Sequence, residues 1–163
     1  MRKELQNKLY ASYPKIFAQK DLDMKRTAMC WGISCGDGWY NILEVLCGEL
    51  QSYVDEPHRN VELYTRFLEE ATLNEDDEAV KMWEQKLQKA KKSIVPQVEA
   101  VQVKEKYGTL RFYTNVYDDR INSLTGFAES MSACTCEDCG SPGSPDPGGW
   151  IKTRCDNCRG ELS

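Results

Sequence analysis

Cys136-Glu137-Asp138-Cys139 and Cys155-Asp156-Asn157-Cys158 stand near one end of a 163-residue chain, separated by the fifteen residues from Gly140 to Arg154. Two C-x-x-C pairs at this separation have the spacing of a four-cysteine zinc site. A tetrahedral ion needs four soft ligands, and each C-x-x-C turn supplies two thiolates from one tight loop. Gly140 follows the first pair, where a knuckle turn calls for a residue able to take positive φ. The Ser/Pro/Gly run from Ser141 to Gly149 is turn material, and Trp150-Ile-Lys-Thr-Arg154 reads as a short strand delivering Cys155. The expectation is a zinc ribbon with Cys136, Cys139, Cys155 and Cys158 around one structural Zn²⁺. Unliganded cysteines or disulfides are the alternative. Four cysteines leave no open coordination position, so such a zinc folds a segment that has almost no apolar core of its own.

Working outward, the chain is long enough for one core plus a small metal-stapled appendage. The expected division is a body over 1–132 and a ribbon over 133–163. No apolar run approaches the roughly 18 residues needed to span a bilayer. The polar Met1–Lys8 stretch has no signal-peptide core, and the eight cysteines follow no disulfide-framework spacing. These features point to a cytoplasmic protein that does not engage a membrane. Net charge is −5, and residues 133–163 carry three basic against five acidic groups. Such a segment is a poor electrostatic match for a polyphosphate.

Ahead of the ribbon, Asp118-Asp119 caps a helix from about 120 to 132, with Ile121, Leu124, Phe127, Ala128 and Met131 on one side. Upstream, Val101, Val103, Leu110 and Phe112 alternate around Lys106-Tyr-Gly-Thr109, which signals a β-hairpin. Its expected inner face carries Val101, Val103, Glu105 and Tyr107 on one arm and Leu110, Phe112 and Thr114 on the other. Its outer face gathers Lys104, Lys106, Arg111 and Tyr113, which reads either as a solvated sheet face or as a phosphate- and base-contacting one. Residues 59–93 read as a helical hairpin insert, preceded by a helix break at Asp55–Asn60. Residues 2–20 read as helical with a break near Tyr13-Pro14. The fold class is therefore α+β: a mainly helical body, one antiparallel hairpin and a four-cysteine ribbon.

Cys30-Trp31-Gly32-Ile33-Ser34-Cys35-Gly36-Asp37-Gly38-Trp39 packs three glycines, two tryptophans and two cysteines into one loop. Asp37 stands where the N-cap of the following apolar helix belongs, with a binding or chemical role as the alternative. Cys30, Cys35 and Cys47, with His58, raise the possibility of a second metal. A thiol nucleophile needs a base within reach, and His58 is the single histidine. No Walker A, dinucleotide fingerprint or Ser-His-Asp pattern is present.

Three stretches together, Thr27-Ala-Met-Cys-Trp-Gly-Ile-Ser-Cys-Gly-Asp-Gly-Trp39, Val103-Lys-Glu-Lys-Tyr-Gly-Thr-Leu-Arg-Phe-Tyr113 and Gly149-Trp-Ile-Lys-Thr-Arg-Cys155, resemble a group of small bacteriophage and prophage proteins. The likeness covers segments 13–53 and 98–158, and the insert between them looks more variable. It implies a setting, a phage-encoded protein in a bacterial cytoplasm, and conveys no residue roles. The expectation is a non-enzymatic protein that binds and modulates or inhibits a host protein, one of a defence system being an example. Its contact surface is expected where Trp31, Trp39, Trp150 and the outer hairpin face converge. The first alternative is a nucleic-acid-binding ribbon using Lys104, Lys106, Arg111, Lys152, Arg154 and Arg159. The second is a small enzyme centred on the Cys30–Trp39 loop.

Overall fold

Tyr107 and Gly108, both at positive φ (53° and 76°), form the two-residue turn that sets the sheet. Left-handed backbone at both central positions matches the right-handed twist of the flanking strands. In this computed structural model, which describes residues 1–146 and 151–160, the turn joins β2 (Ala100–Lys106) to β3 (Thr109–Thr114) in antiparallel register. Lys104 lies opposite Arg111 and Lys106 opposite Thr109. A third strand, β1 (Ile33–Ser34), pairs parallel to β2. The hairpin expected from the sequence is thus two strands of a three-stranded mixed sheet, in the order β1-β2-β3. Two residues are too few for β1 to show any alternation.

The inner-face reading needs two corrections, the first being Tyr107, which stands in the turn and is 70 % exposed. A bulge between Ala100 and Gln102 buries Ala100 and Val103 but turns Val101 away from the core. The Val101 carbonyl instead accepts from the Ala28 N–H (3.2 Å) and the Thr27 hydroxyl (3.1 Å). A bulge places two residues against one, so the period-2 pattern slips by one at that point.

The chain divides into two compact units, 1–50 with 98–163, and 51–97. The cysteine segment falls in the first unit, together with the sheet. In the first unit, α1 (Lys3–Ser12), the start of α2 (Tyr40–Leu73) and α4 (Asp119–Ser132) accompany the sheet. Phe17, Met29, Trp39, Leu43, Leu110 and Ile121 are all buried there, and each such side chain is worth about 1.5–3 kcal/mol of apolar transfer. Phe17 contacts Tyr10 (ring centroids 5.0 Å) and Phe112 (6.5 Å). Along β3, the Leu110 N–H donates to the Ser132 hydroxyl of α4 (2.8 Å). The Asp118 carboxylate caps α4 by accepting from the Ile121 N–H (2.8 Å).

The second unit is the helical hairpin, with a correction at its start. Residues 55–60 do not break the helix, for α2 runs from Tyr40 to Leu73 with Pro57 inside it. Proline costs about 3 kcal/mol in a helix interior. Residues 54, 57, 61, 64, 68 and 71, however, form one unbroken buried or half-buried stripe at alternating steps of three and four. Packing along that stripe outweighs the local penalty. Phe67 and Tyr64 meet Trp83 of α3 (Asp77–Lys92), with centroids 4.7 and 5.6 Å apart. The Asp76 carboxylate caps α3 through the Ala79 N–H (3.0 Å). The Gln51 and Gln97 side chains bond each other reciprocally (3.3 and 3.1 Å), tying the ends of the unit.

Candidate metal centre

A short two-stranded sheet, β4 (Ser144–Pro145) with β5 (Thr153–Arg154), frames the cysteine segment, and α5 (Asp156–Gly160) follows. The first knuckle is closed by its own backbone. Cys136 N–H donates to Ser141 O (2.7 Å), and Gly140 N–H donates to Cys136 O (2.9 Å). Gly140 takes φ of 80°, as its place after the pair anticipates. The sulfurs of Cys136, Cys139, Cys155 and Cys158 all lie within 4.8 Å of one another. Cys139 Sγ and Cys155 Sγ are 3.6 Å apart. Four sulfurs at this spacing form a donor set able to hold one metal ion, with a full shell of soft ligands.

The electrostatics favour deprotonation at one corner. The Ser141 hydroxyl and backbone N–H, and then the neighbouring thiols, hold the Cys139 thiol down to about 6. The Cys155 and Cys139 sulfurs push the Cys158 thiol above its ordinary range. Without a cation, four clustered sulfurs keep protons among themselves, and a divalent ion displaces them.

Residues about a hundred positions earlier brace this cluster. Gly36 N–H donates to Glu137 Oε1 (2.8 Å) across 101 positions. Gly38 N–H donates to the Glu137 carbonyl (2.7 Å). The Trp39 indole N–H donates to Thr135 O (2.8 Å). The approach is close enough to demand glycine at both sites. A Cβ on Gly38 would lie 2.1 Å from Cys136 O, and one on Gly36 would lie 2.2 Å from Glu137 O. Neither space exists for any other residue.

A second seam joins the hairpin turn to the other pair. The Thr153 hydroxyl, fully buried, donates to Gly108 O (2.7 Å). Glu137 N–H donates to Thr153 O (2.8 Å), linking the knuckles to each other. Asp146 completes the frame through ion pairs to Arg154 (2.6 Å) and Arg159 (2.7 Å). The loop at 36–39, the hairpin turn at Gly108 and Thr153 thus meet in the seams around the four sulfurs. Comparison with protein-family models, curated proteins and solved structures finds no match for this chain.

The other sequence candidates are distributed differently. Trp39 is fully buried against the knuckle, so it forms no contact surface. Asp37 is not a side-chain N-cap. Its carboxylate accepts from the Arg2 backbone N–H (2.7 Å) and pairs with the Arg2 guanidinium, and the backbone bond chiefly lowers its pKa. Trp31 is 65 % exposed, and Trp150 lies outside the described residues. On the hairpin, Lys104 Nζ stands 5.6 Å from the Tyr113 ring and Lys106 Nζ 5.3 Å from Tyr107. Arg111 pairs with Glu129 of α4 (2.7 Å). Burial pushes the Cys35 thiol up to about 12 and raises Cys47 as well. Among the described residues, Cys30, Cys35 and Cys47 join no ligand cluster.

Sequence reasoning missed Glu137. This residue between the first two cysteines is 6 % exposed, and its Oε2 makes no hydrogen bond among the described residues. Desolvation raises its pKa against the Gly36 bond, which lowers it. Nothing local marks it, because its partner is a backbone N–H far away in the sequence.

Proposed function

We propose that the four cysteines hold one structural Zn²⁺ as a zinc ribbon, and that the protein acts without catalysis by binding a protein partner. Thiolate ligands and a tetrahedral set of four suit zinc best among common cations. A closed shell gives folding energy rather than an open position for substrate. The observation that carries this reading is the fate of the glycine-rich loop. Gly36, Gly38 and Trp39, part of the loop on which the enzyme alternative centres, are spent on supporting the first knuckle. The likeness to phage and prophage proteins supports a host protein as the partner and a bacterial cytoplasm as the setting.

Metal analysis of the purified chain, with X-ray absorption at the zinc edge, tests the first half. One zinc per chain with four sulfur neighbours supports it, whereas another metal or mixed oxygen ligation overturns it. Affinity capture from bacterial lysate, with and without nuclease and at two salt concentrations, tests the second. A protein retained through nuclease and higher salt supports the reading. Recovery that needs nucleic acid and low salt transfers it to the alternative, in which Lys104 and Lys106 contact phosphate beside Tyr113 and Tyr107.

A further inference from the structure

Ile42, Val45 and Leu46 on α2 face Leu124, Phe127 and Met131 on α4 across an open groove of about 350 Å³. Both walls carry their apolar residues at helical spacing, and the space between them is unfilled. Val45 is 66 % exposed, Phe127 67 % and Met131 40 %. Exposed apolar residues grouped this way mark an interaction surface rather than scattered surface hydrophobes. Among the residues that line it, Glu49 alone is charged. Residues 40–50 carry Glu44 and Glu49 and no basic residue, and α4 carries Asp119 and Glu129 against Arg120 alone. Glu129 is engaged by Arg111, but Glu49 lines the groove, is exposed and forms no ion pair among the described residues.

Resting on the protein-binding reading above, we propose that this groove is the docking site and that its occupant is a basic amphipathic helix of the partner. An apolar stripe at i, i+3, i+4 and i+7 would complete a three-helix contact. Seven residues along each wall span about 10 Å, so about two turns of the guest are gripped. Lysine or arginine beside the stripe would meet Glu49. A second copy of this chain fits poorly, because an isologous pairing brings two Glu49 carboxylates and no cation from the lining into one interface.

The test uses the intact, metal-loaded chain and a fluorescent synthetic helix about 18 residues long, long enough to hold helical structure. The probe has leucine at the stripe positions and lysine elsewhere. A scrambled peptide of the same composition and a glutamate-for-lysine version serve as controls. The expected result is that the basic amphipathic peptide binds at least about tenfold tighter than either control. Amide NMR shifts should be confined to residues 40–50 and α4. Phe127→Ser should weaken binding about tenfold, and Glu49→Lys should reduce the preference for the basic peptide over the acidic one. Equal binding of the scrambled peptide, shifts elsewhere or no binding overturns the proposal. So does a dimer in sedimentation that Phe127→Ser dissolves, which gives the groove to a second copy. If lysate capture yields a protein that Phe127→Ser and Glu49→Lys retain fully, the groove proposal falls and the interaction reading stands. If the peptide behaves as expected and lysate yields no protein partner, the interaction reading falls alone.

Discussion

Cys136 and Cys139 sit on a turn gripped by the loop at 36–39, which comes from the first quarter of the chain. Cys155 and Cys158 sit on a strand and a short helix held largely by near neighbours, with Asp146 clamping Arg154 and Arg159. The Thr153–Gly108 bond is the exception. One half of the ligand set is thus positioned by the body of the protein, whereas the other half depends more on the ion it would help to hold. The difference concerns what holds each thiolate, because the donor atoms are the same.

Removing the metal should expose that difference most strongly. After chelation, amide hydrogen exchange should rise most at 153–159, while Gly36 and Gly38 keep substantial protection. Equal loss at both pairs would break the comparison. Next in size is Gly38→Ala, whose Cβ has no room beside Cys136 O. It should destabilise the metal-loaded protein by about 3 kcal/mol, and chelator competition should show metal retention about 10- to 100-fold weaker. Trp39→Phe keeps a buried ring but leaves Thr135 O without its donor. Denaturant titration should register about 2 kcal/mol.

Asp37→Asn probes the anchor of the same loop through pH. The folded carboxyl is held below its ordinary pKa, with the Arg2 backbone N–H as the first cause. Its contribution is therefore fully present above about pH 4, the ordinary carboxylate range, and lost as pH falls through the depressed folded value. The Tm difference between wild type and Asp37→Asn should be widest above pH 5 and shrink towards pH 2.5. A difference independent of pH would detach Asp37 from this role. The smallest effect belongs to Gly126 in α4, where a Cβ meets nothing within 4 Å. Gly126→Ala should stabilise by about 0.5–1 kcal/mol, in contrast to Gly38→Ala.

Local signals in the sequence account for much of this architecture. The C-x-x-C spacing reads the four-sulfur cluster because its geometry is set within a few residues of each thiol. The turn at Tyr107-Gly108 and the Asp118 cap are local as well. What escaped the sequence is non-local. Gly36, Gly38 and Trp39 resembled a reactive loop because their partners stand about a hundred positions away. Pro57 resembled a helix end because its local cost is visible, while the stripe that outweighs it runs the length of the unit. Val101 was read into the core because a bulge leaves no trace in an alternating pattern.

The separation of 101 residues between Gly36 and Glu137 also sets an order of events during synthesis. The ribosome makes the glycine loop first, and at about 5–20 residues per second the knuckle that covers it follows several seconds later. Throughout that interval the Gly36 and Gly38 amides and the Trp39 indole have no knuckle to bond. Closing so long a loop is a late and entropically costly step. The nascent chain therefore passes through a stage in which the seat has been synthesised and its occupant has not. Supplying metal cannot shorten that stage, because Cys139, Cys155 and Cys158 are made later still.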